Sequence, residues 1–130
     1  MAIESKSVVR TENAPGPFQG APYSQAIRAG GFVFVSGQLG LKPDHAAVGG
    51  SIEEQTEQIF SNLRAILEAA GTGLERLVKT TVFLTDLDDF AAMNEVYARH
   101  VGSSPPARST VEVAALPSGA KIEIEAIAEL

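Results

Sequence analysis

Apolar and polar residues repeat along this chain with two different periods, which predict where strands and helices lie. The run from Pro106 to Val113 and the run from Lys121 to Ala126 both alternate with a period of two. That spacing sends successive side chains of a strand to opposite faces of a sheet. Segments that are rich in β-branched residues or bounded by glycine turns predict further strands at Ser7–Thr11, Ser24–Arg28, Gly31–Gly37 and Leu77–Thr85. Strands are therefore predicted at both ends of the chain and once in its middle.

A helical period marks two other segments. Ser51 followed three residues later by Glu54 is a capping-box pattern, and Gly71 offers a C-terminal stop. The apolar stripe between them consists of Ile52, Ile59, Leu63, Ile66, Leu67 and Ala70. Asp86 or Asp88 is predicted to cap a second helix. The apolar stripe of that helix and the glycine that ends it are Phe90, Met93, Tyr97, Val101 and Gly102.

The predicted order of elements is β-β-β-α-β-α-β-β, in a single domain that spans residues 1–130. This order predicts an α+β fold in which two amphipathic helices cover one face of a mixed sheet. The opposite face stays open in a single chain. It is predicted to carry Arg108, Thr110, Glu123 and Glu125 among apolar neighbours, so we expect another subunit to cover it.

Composition and charge exclude several classes of function. The formal net charge of -6 and the lack of a basic run oppose binding to nucleic acid, which depends on clustered Lys and Arg. The sequence has no cysteine, which excludes thiol catalysis and thiolate metal sites. His45 and His100 are too scattered to predict a histidine metal site. No apolar stretch approaches the roughly 20 residues that span a bilayer, so we expect a cytoplasmic protein without a membrane partner.

The two C-terminal strands also carry candidate chemistry. A guanidinium binds a carboxylate bidentately and a glutamate can handle a water or a proton, so Arg108 and Glu123 could form a small-anion site. Glu125 is two positions from Glu123 and is a second candidate for handling water, whereas Glu112 is expected to be structural. Taken alone, an arginine or a glutamate on a strand is more often a solvated surface charge.

Several motifs match the pattern of one known family. Three of them lie near the C-terminus: P-A-R-S-T-V-E-V from Pro106, L-P-S-G from Leu116 and K-I-E-I-E-A from Lys121. The others are A-P-Y-S-Q-A from Ala21, F-V-S-G-Q from Phe34, N-L from Asn62, K-T-T-V-F-L from Lys79 and M-N-E-V-Y from Met93. In this order they resemble the reactive-intermediate deaminases, the RidA-like or YjgF family. The resemblance runs from about residue 8 to the C-terminus and so covers nearly the whole chain.

The resemblance implies a chorismate-mutase-like α+β fold that assembles into a homotrimer with its sites in clefts between subunits. It also implies a hydrolase that needs no cofactor and no metal, similar to 2-iminobutanoate/2-iminopropanoate deaminases. Such an enzyme converts reactive imines and enamines of the 2-aminoacrylate and 2-iminopropanoate type, released by pyridoxal-phosphate enzymes, into a 2-keto acid and ammonia. The implied role is detoxification.

The resemblance also assigns roles to individual residues. Arg108 is expected to grip the substrate carboxylate, and Glu123 is expected to position or activate a water. The other substrate-binding positions implied by the family are Tyr23, Ser36, Gly37, Asn94 and Thr110. Thr110 stands where other members carry a cysteine, so it offers a backbone N–H and a hydroxyl but no thiolate.

Two rival functions stay open at this point, and so does the register of one loop. A non-catalytic protein that senses 2-keto acids would need Arg108 but not Glu123. The endoribonuclease activity sometimes attributed to the family is opposed by the acidic charge balance. Residues Gly16–Gly20 resemble the same motif as Ala21–Gln25, and the second register is preferred because it keeps the phenol of Tyr23.

Overall fold

Strands and helices follow one another in the predicted order β-β-β-α-β-α-β-β. The computed structural model describes residues 5–130, so the first four residues of the predicted domain lie outside the described residues. The strands are β1 (Ser7–Val9), β2 (Ala26–Ala29), β3 (Phe32–Leu39), β4 (Leu77–Leu84), β5 (Ala107–Glu112) and β6 (Ile122–Glu129). The helices are α1 (Ile52–Ala70) and α2 (Phe90–Val101), and the longer connections contain short 3-10 turns.

The six strands form one mixed sheet in the order β1-β2-β3-β6-β4-β5. Strands β4 and β5 are parallel, and the other neighbouring pairs are antiparallel. Alternate residues of β6 are buried beneath the helices: Ile122, Ile124, Ala126 and Ala128. The two helices therefore pack on one face of a mixed sheet, which confirms the α+β fold predicted from the sequence.

The first helix begins and ends as its sequence predicts. The Ser51 hydroxyl accepts a hydrogen bond from the Glu54 backbone N–H at 3.0 Å, and Gly71 ends the helix with a φ of 94°. A left-handed backbone of this kind favours glycine, because other residues carry a Cβ that clashes there. All residues of the predicted apolar stripe are buried: Ile52, Ile59, Leu63, Ile66, Leu67 and Ala70.

The second helix begins differently from the prediction. The Asp86 carboxylate accepts the Asp88 N–H, but it caps the 3-10 turn Leu87–Asp89 and not α2. The helix starts one turn later, after Asp89, whose side chain makes no capping hydrogen bond. Phe90 was predicted to belong to the buried stripe, yet it is 41% exposed because it lies at the very start of α2.

Two strands also have different ends from the predicted ones. β1 ends at Val9 and not at Thr11, because the backbone N–H and C=O of Thr11 bond to the side chain of Gln25 and leave the ladder. β3 extends to Leu39 through an irregularity between Val35 and Gln38. The irregularity falls within the F-V-S-G-Q motif, and a bulge of this kind bends its strand.

The sheet face opposite the helices carries exposed apolar side chains. Val8, Phe34 and Val111 are 43%, 44% and 43% exposed and stand on this open face. Among residues 5–130, none of the helices has the length and apolar character that crossing a membrane requires. The exposed apolar side chains of the open face form a surface that a second chain could cover.

Candidate functional site

A cavity of about 590 Å³ opens beside the bend of β3, between β6 and the loop that precedes β2. Its wall includes five residues that the sequence predicts as site candidates: Tyr23, Ser36, Gly37, Glu123 and Glu125. Apolar and aromatic side chains, among them Phe18, Leu39, Leu41 and Pro117, form much of the remaining wall. A largely apolar wall with a few convergent polar groups is typical of a small-molecule site.

Gly37 and Glu123 lie against each other in the wall of this cavity. The irregularity in β3 brings the backbone of Gly37 against the side chain of Glu123 on the neighbouring strand. A Cβ placed on Gly37 would lie 2.7 Å from both Cδ and Oε1 of Glu123. The position therefore needs glycine for space, because any side chain would displace the carboxyl group from where it lies.

The Glu123 carboxyl is electrostatically unusual. Burial raises its pKa above the ordinary value for glutamate, and the nearby charge of Glu125 raises the pKa further. A carboxylate with a raised pKa is a stronger base once it is ionised, which suits a group that takes a proton from water. Across residues 5–130, no group of three or more His, Cys, Asp or Glu side chains is arranged to hold a metal ion.

The hydroxyl groups of Tyr23 and Ser36 have defined roles in hydrogen bonding. The Tyr23 oxygen accepts the Phe18 backbone N–H at 2.8 Å, which leaves the phenolic proton available to a ligand. The Ser36 hydroxyl donates its proton to the Ser24 carbonyl at 2.6 Å, so only its lone pairs are available. Tyr23 can therefore donate to a ligand in the cavity, and Ser36 can accept from one.

Gln25 and His45 hold the loop that forms one wall, and sequence reasoning did not assign either of them a role. The Gln25 amide, 4% exposed, bonds to the backbone of Thr11 and to the carbonyls of Ala14 and Pro15. His45 Nε2 lies 3.0 Å from the Gly16 carbonyl. Gln25 belongs to a motif that the sequence analysis quoted, but its long-range partners leave no local signal. His45 adopts a φ of 71°, which its sequence context does not indicate.

Arg108 and Thr110 do not lie on the face that the sequence analysis predicted. They stand opposite Thr80 and Val82 of β4, both of which are fully buried beneath the helices. Glu123 instead stands opposite Phe83, on the open face. The prediction that one sheet face of a single chain carries Arg108, Thr110, Glu123 and Glu125 together is therefore wrong. Pairing across the sheet places Arg108 and Thr110 on the helix side, and it places Glu123 and Glu125 on the open side.

Arg108, Thr110 and Asn94 do not line the cavity. The Arg108 guanidinium packs against α2, with its Cζ 4.7 Å from the ring centre of Tyr97 and 5.5 Å from that of Phe90. The Thr110 hydroxyl is buried and has no hydrogen-bond partner among residues 5–130. Both residues belong to β5, the edge strand, where alternate backbone groups have no strand partner. Asn94 is half-buried on α2.

Comparison with known proteins gives consistent matches over nearly the whole chain. The family described as Endoribonuclease L-PSP matches residues 11–130. A RutC family protein of Pyrococcus horikoshii is 54% identical over 95% of this chain and 97% of its own length. Reactive Intermediate Deaminase A, chloroplastic, of Arabidopsis thaliana is 52% identical over 96% of this chain and 66% of its own length.

A solved structure shows the same arrangement of strands and helices. E. coli TdcF with bound serine superposes with a TM-score of 0.88 at 40% identity, over 95% of this chain and 98% of that one. Similarity of this extent confirms the chorismate-mutase-like α+β fold that the sequence resemblance implied.

Proposed function

The chain belongs to the Endoribonuclease L-PSP family, also known as the YjgF or RidA family, and on this premise we propose that it hydrolyses reactive 2-imino and enamine acids. The products would be a 2-keto acid and ammonia. The relative named as a reactive intermediate deaminase, 52% identical, supports a deaminase within this family. We further propose that its substrates are of the 2-iminopropanoate, 2-iminobutanoate and 2-aminoacrylate type. Its role would be detoxification.

The observation that carries the proposal is the half-buried carboxyl group of Glu123, which lies against the backbone of Gly37. The carboxylate, with its raised pKa, takes a proton from a water as that water adds to C2 of the imine. The proton passes to the imine nitrogen, which gives a carbinolamine. The hydroxyl proton of the carbinolamine is then transferred to its amino group, the C–N bond breaks as the C=O bond of the keto acid forms, and ammonia leaves. The Gly37 carbonyl orients the C–N unit together with the Thr110 N–H, which another copy of the chain has to supply because Thr110 lies on the helix side of the sheet. Free imines already hydrolyse in water, so positioning and proton transfer are the main contributions needed.

Arg108 has to reach this site from another copy of the chain. Within one chain it lies on the helix side of the sheet, whereas Glu123 lies on the open side. A homotrimer in which the edge strand of one copy meets the cavity of the next would bring the two together, with Asn94 beside them. The exposed apolar residues on the open face support such an assembly.

The bound molecule in a relative supports the substrate class. The E. coli TdcF structure contains serine, which is a small carboxylate with nitrogen on C2. In the proposed site, Arg108 grips the carboxylate of a 2-imino or 2-keto acid with its planar guanidinium. Tyr23 donates to the ligand from the cavity side, and Ser36 accepts from it.

The test is a trapping assay. An amino-acid oxidase or threonine dehydratase generates the imine in the presence of semicarbazide, which captures imine faster than it captures the keto acid. We expect this protein to lower the initial rate of semicarbazone formation in proportion to its concentration, and Glu123→Gln to weaken the effect. An unchanged trapping rate at micromolar protein, for imines from alanine, serine and threonine, would overturn the deaminase proposal.

An endoribonuclease is the second candidate, favoured by the description of the family itself. The net charge of -6 opposes it, because RNA binding depends on basic side chains that displace counterions. Incubating the same preparation with a mixed-sequence RNA would test it directly, and cleavage retained in Glu123→Gln would point to a different site or a contaminant.

A cytoplasmic location remains a prediction from the sequence, since the Arabidopsis relative is named chloroplastic.

A further inference from the structure

The guanidinium of Arg108 lies against aromatic rings and forms no ion pair with a carboxylate among residues 5–130. Its Cζ is 4.7 Å from the ring centre of Tyr97 and 5.5 Å from that of Phe90. Its Nη1 is 4.0 Å from the sulfur of Met93 on the same helix. Cations within about 6 Å of an aromatic ring centre are attracted to the negative face of the ring. Both rings are within that range.

No carboxylate neutralises Arg108 in the part of the chain that the structure describes. The ion pairs within residues 5–130 use Arg76, Arg99 and His100, and none of them includes Arg108. Aromatic faces attract a cation without neutralising its charge. They also leave the N–H groups along the edge of the guanidinium free to bind an anion. Arg108 therefore keeps its full charge for an external carboxylate.

The two rings differ in how firmly they are held. Tyr97 is only 5% exposed, and its hydroxyl lies 2.6 Å from the hydroxyl of Thr80. The ring of Phe60 meets the Tyr97 ring edge to face, with centres 5.4 Å apart. Phe90, by contrast, is 41% exposed at the start of α2. One ring is thus fixed in the core, and the other is an accessible side chain whose replacement need not disturb the core.

We propose that Phe90 and Tyr97 form an aromatic clamp, which orients the Arg108 guanidinium for bidentate binding of the substrate carboxylate. Both are positioning residues that act through Arg108. The inference rests on the proposed function only in taking a 2-keto or 2-imino acid as the ligand of Arg108. It gives a function to Phe90 and Tyr97, neither of which lines the cavity around Glu123.

Phe90→Leu is the main test, because it removes the π face from an exposed position and keeps an apolar side chain. We expect the Kd for pyruvate, measured by calorimetry, to rise about fivefold, which corresponds to about 1 kcal/mol. KM for the imine should rise by a similar factor with kcat little changed. Phe90→Tyr should restore both values, because tyrosine presents the same face to the cation.

Two further variants separate the clamp from a general structural effect. Leu87→Ala alters another exposed apolar residue just before α2, 46% exposed, and should leave pyruvate binding unchanged. Tyr97→Phe keeps the ring but leaves the buried Thr80 hydroxyl without its partner, so it should lower Tm with a smaller rise in Kd than Phe90→Leu. If the loss of pyruvate affinity paralleled the fall in Tm across the variants, the effect would be a general structural one, and the clamp would be overturned.

Ligand size distinguishes the clamp from direct contact between Phe90 and the ligand. If Phe90 acts through Arg108, glyoxylate, pyruvate and 2-oxobutyrate should lose affinity by the same factor in Phe90→Leu, since all three present the same carboxylate. A loss that grows with the side chain of the keto acid would overturn the clamp and make Phe90 a ligand-contacting residue. Absence of keto-acid binding to the parent protein would overturn it as well. Binding without imine hydrolysis would reject the deaminase and leave the clamp standing.

Discussion

Gly37 lies so close to the carboxyl group of Glu123 that a Cβ on Gly37 would sit 2.7 Å from its Cδ. The contact joins a strand irregularity in β3 to the side chain that carries the proposed chemistry. Gly40, three residues further along, also leaves no space for a Cβ, but there the obstacle is the Gln55 backbone of α1, at 2.7 Å from Cα. The two glycines therefore make a matched pair for mutation.

Gly37→Ala should damage activity far more than stability. The new methyl group meets the end of a flexible side chain, so the Glu123 carboxyl can rotate away while the fold persists. Displacing a catalytic group by about 1 Å can cost on the order of 100-fold in rate, and we expect kcat/KM to fall about 10- to 100-fold. Adding Gly37→Ala to Glu123→Gln should cause little further loss, because both changes remove the same carboxylate.

Gly40→Ala is the control for this prediction. Its Cβ would press on helix backbone that cannot rotate away, so thermal unfolding should show a loss of about 1 to 3 kcal/mol, typical of overpacking. Steady-state kinetics and Tm measured on both variants give the comparison. Full activity in Gly37→Ala would show that the position of the Glu123 carboxyl does not matter for turnover.

The pH dependence of turnover should reveal the influence of Glu125 on Glu123. The carboxylate of Glu123 acts as a base only when ionised, so kcat/KM falls as the pH drops through its pKa. The charge of Glu125 raises that pKa, after the larger effect of burial. Glu125→Gln removes the repulsion and should move the acid limb of the pH profile to lower pH, while activity at neutral pH is retained.

The matched control is Glu95→Gln, which alters an exposed glutamate on α2 and should leave the acid limb in place. A Glu125→Gln variant that lost most of its activity at neutral pH would contradict the assignment. It would transfer the role of handling water from Glu123 to Glu125, the second candidate named from the sequence.

The sequence predicted the order of elements because the signals for it are local. The capping box joins Ser51 to Glu54 within one turn, and the stripe of α1 repeats every three or four residues. The start of α2 could not be read in the same way. Asp86, Asp88 and Asp89 all suit a cap, and only the observed backbone shows that Asp86 caps a 3-10 turn.

The faces of the sheet could be predicted only in part. A period of two sorts the residues of a strand into two sets, but long-range pairing decides which set meets the helices. Polarity suggested that Arg108 belongs with Glu123 on the open face, whereas pairing with buried Thr80 places Arg108 beneath α2. The stem of a long arginine can lie along apolar surface while its head remains polar, so its polarity was a poor guide.

The open face should be buried in a homotrimer. Light scattering at micromolar concentration should give about three times the 13.6 kDa of one chain. Phe34→Glu places a charge in the centre of the apolar face and should yield a folded monomer, because Phe34 is 44% exposed in the single chain. Leu87→Glu introduces the same charge at an exposed site outside this face and should stay trimeric. A monomeric parent protein would remove both the assembly and the shared site.

Mixing two variants of low activity provides the sharpest test of a site shared between copies. Arg108→Ala should lower kcat/KM about 30-fold or more, as expected for the loss of one partner of a desolvated charge pair. Glu123→Gln should slow turnover by removing the base. If each site takes Arg108 from one copy and Glu123 from its neighbour, a mixed trimer contains some sites in which both residues are native.

Unfolding the two variants together in equal amounts and refolding them should therefore restore activity. With random assembly about a quarter of the sites would be intact, so the mixture should recover about a quarter of the parent activity. Each variant refolded alone is the control and should keep its low activity. Simple addition of the two low activities would contradict the shared site, because it requires Arg108 and Glu123 to act within one chain, where the sheet separates them.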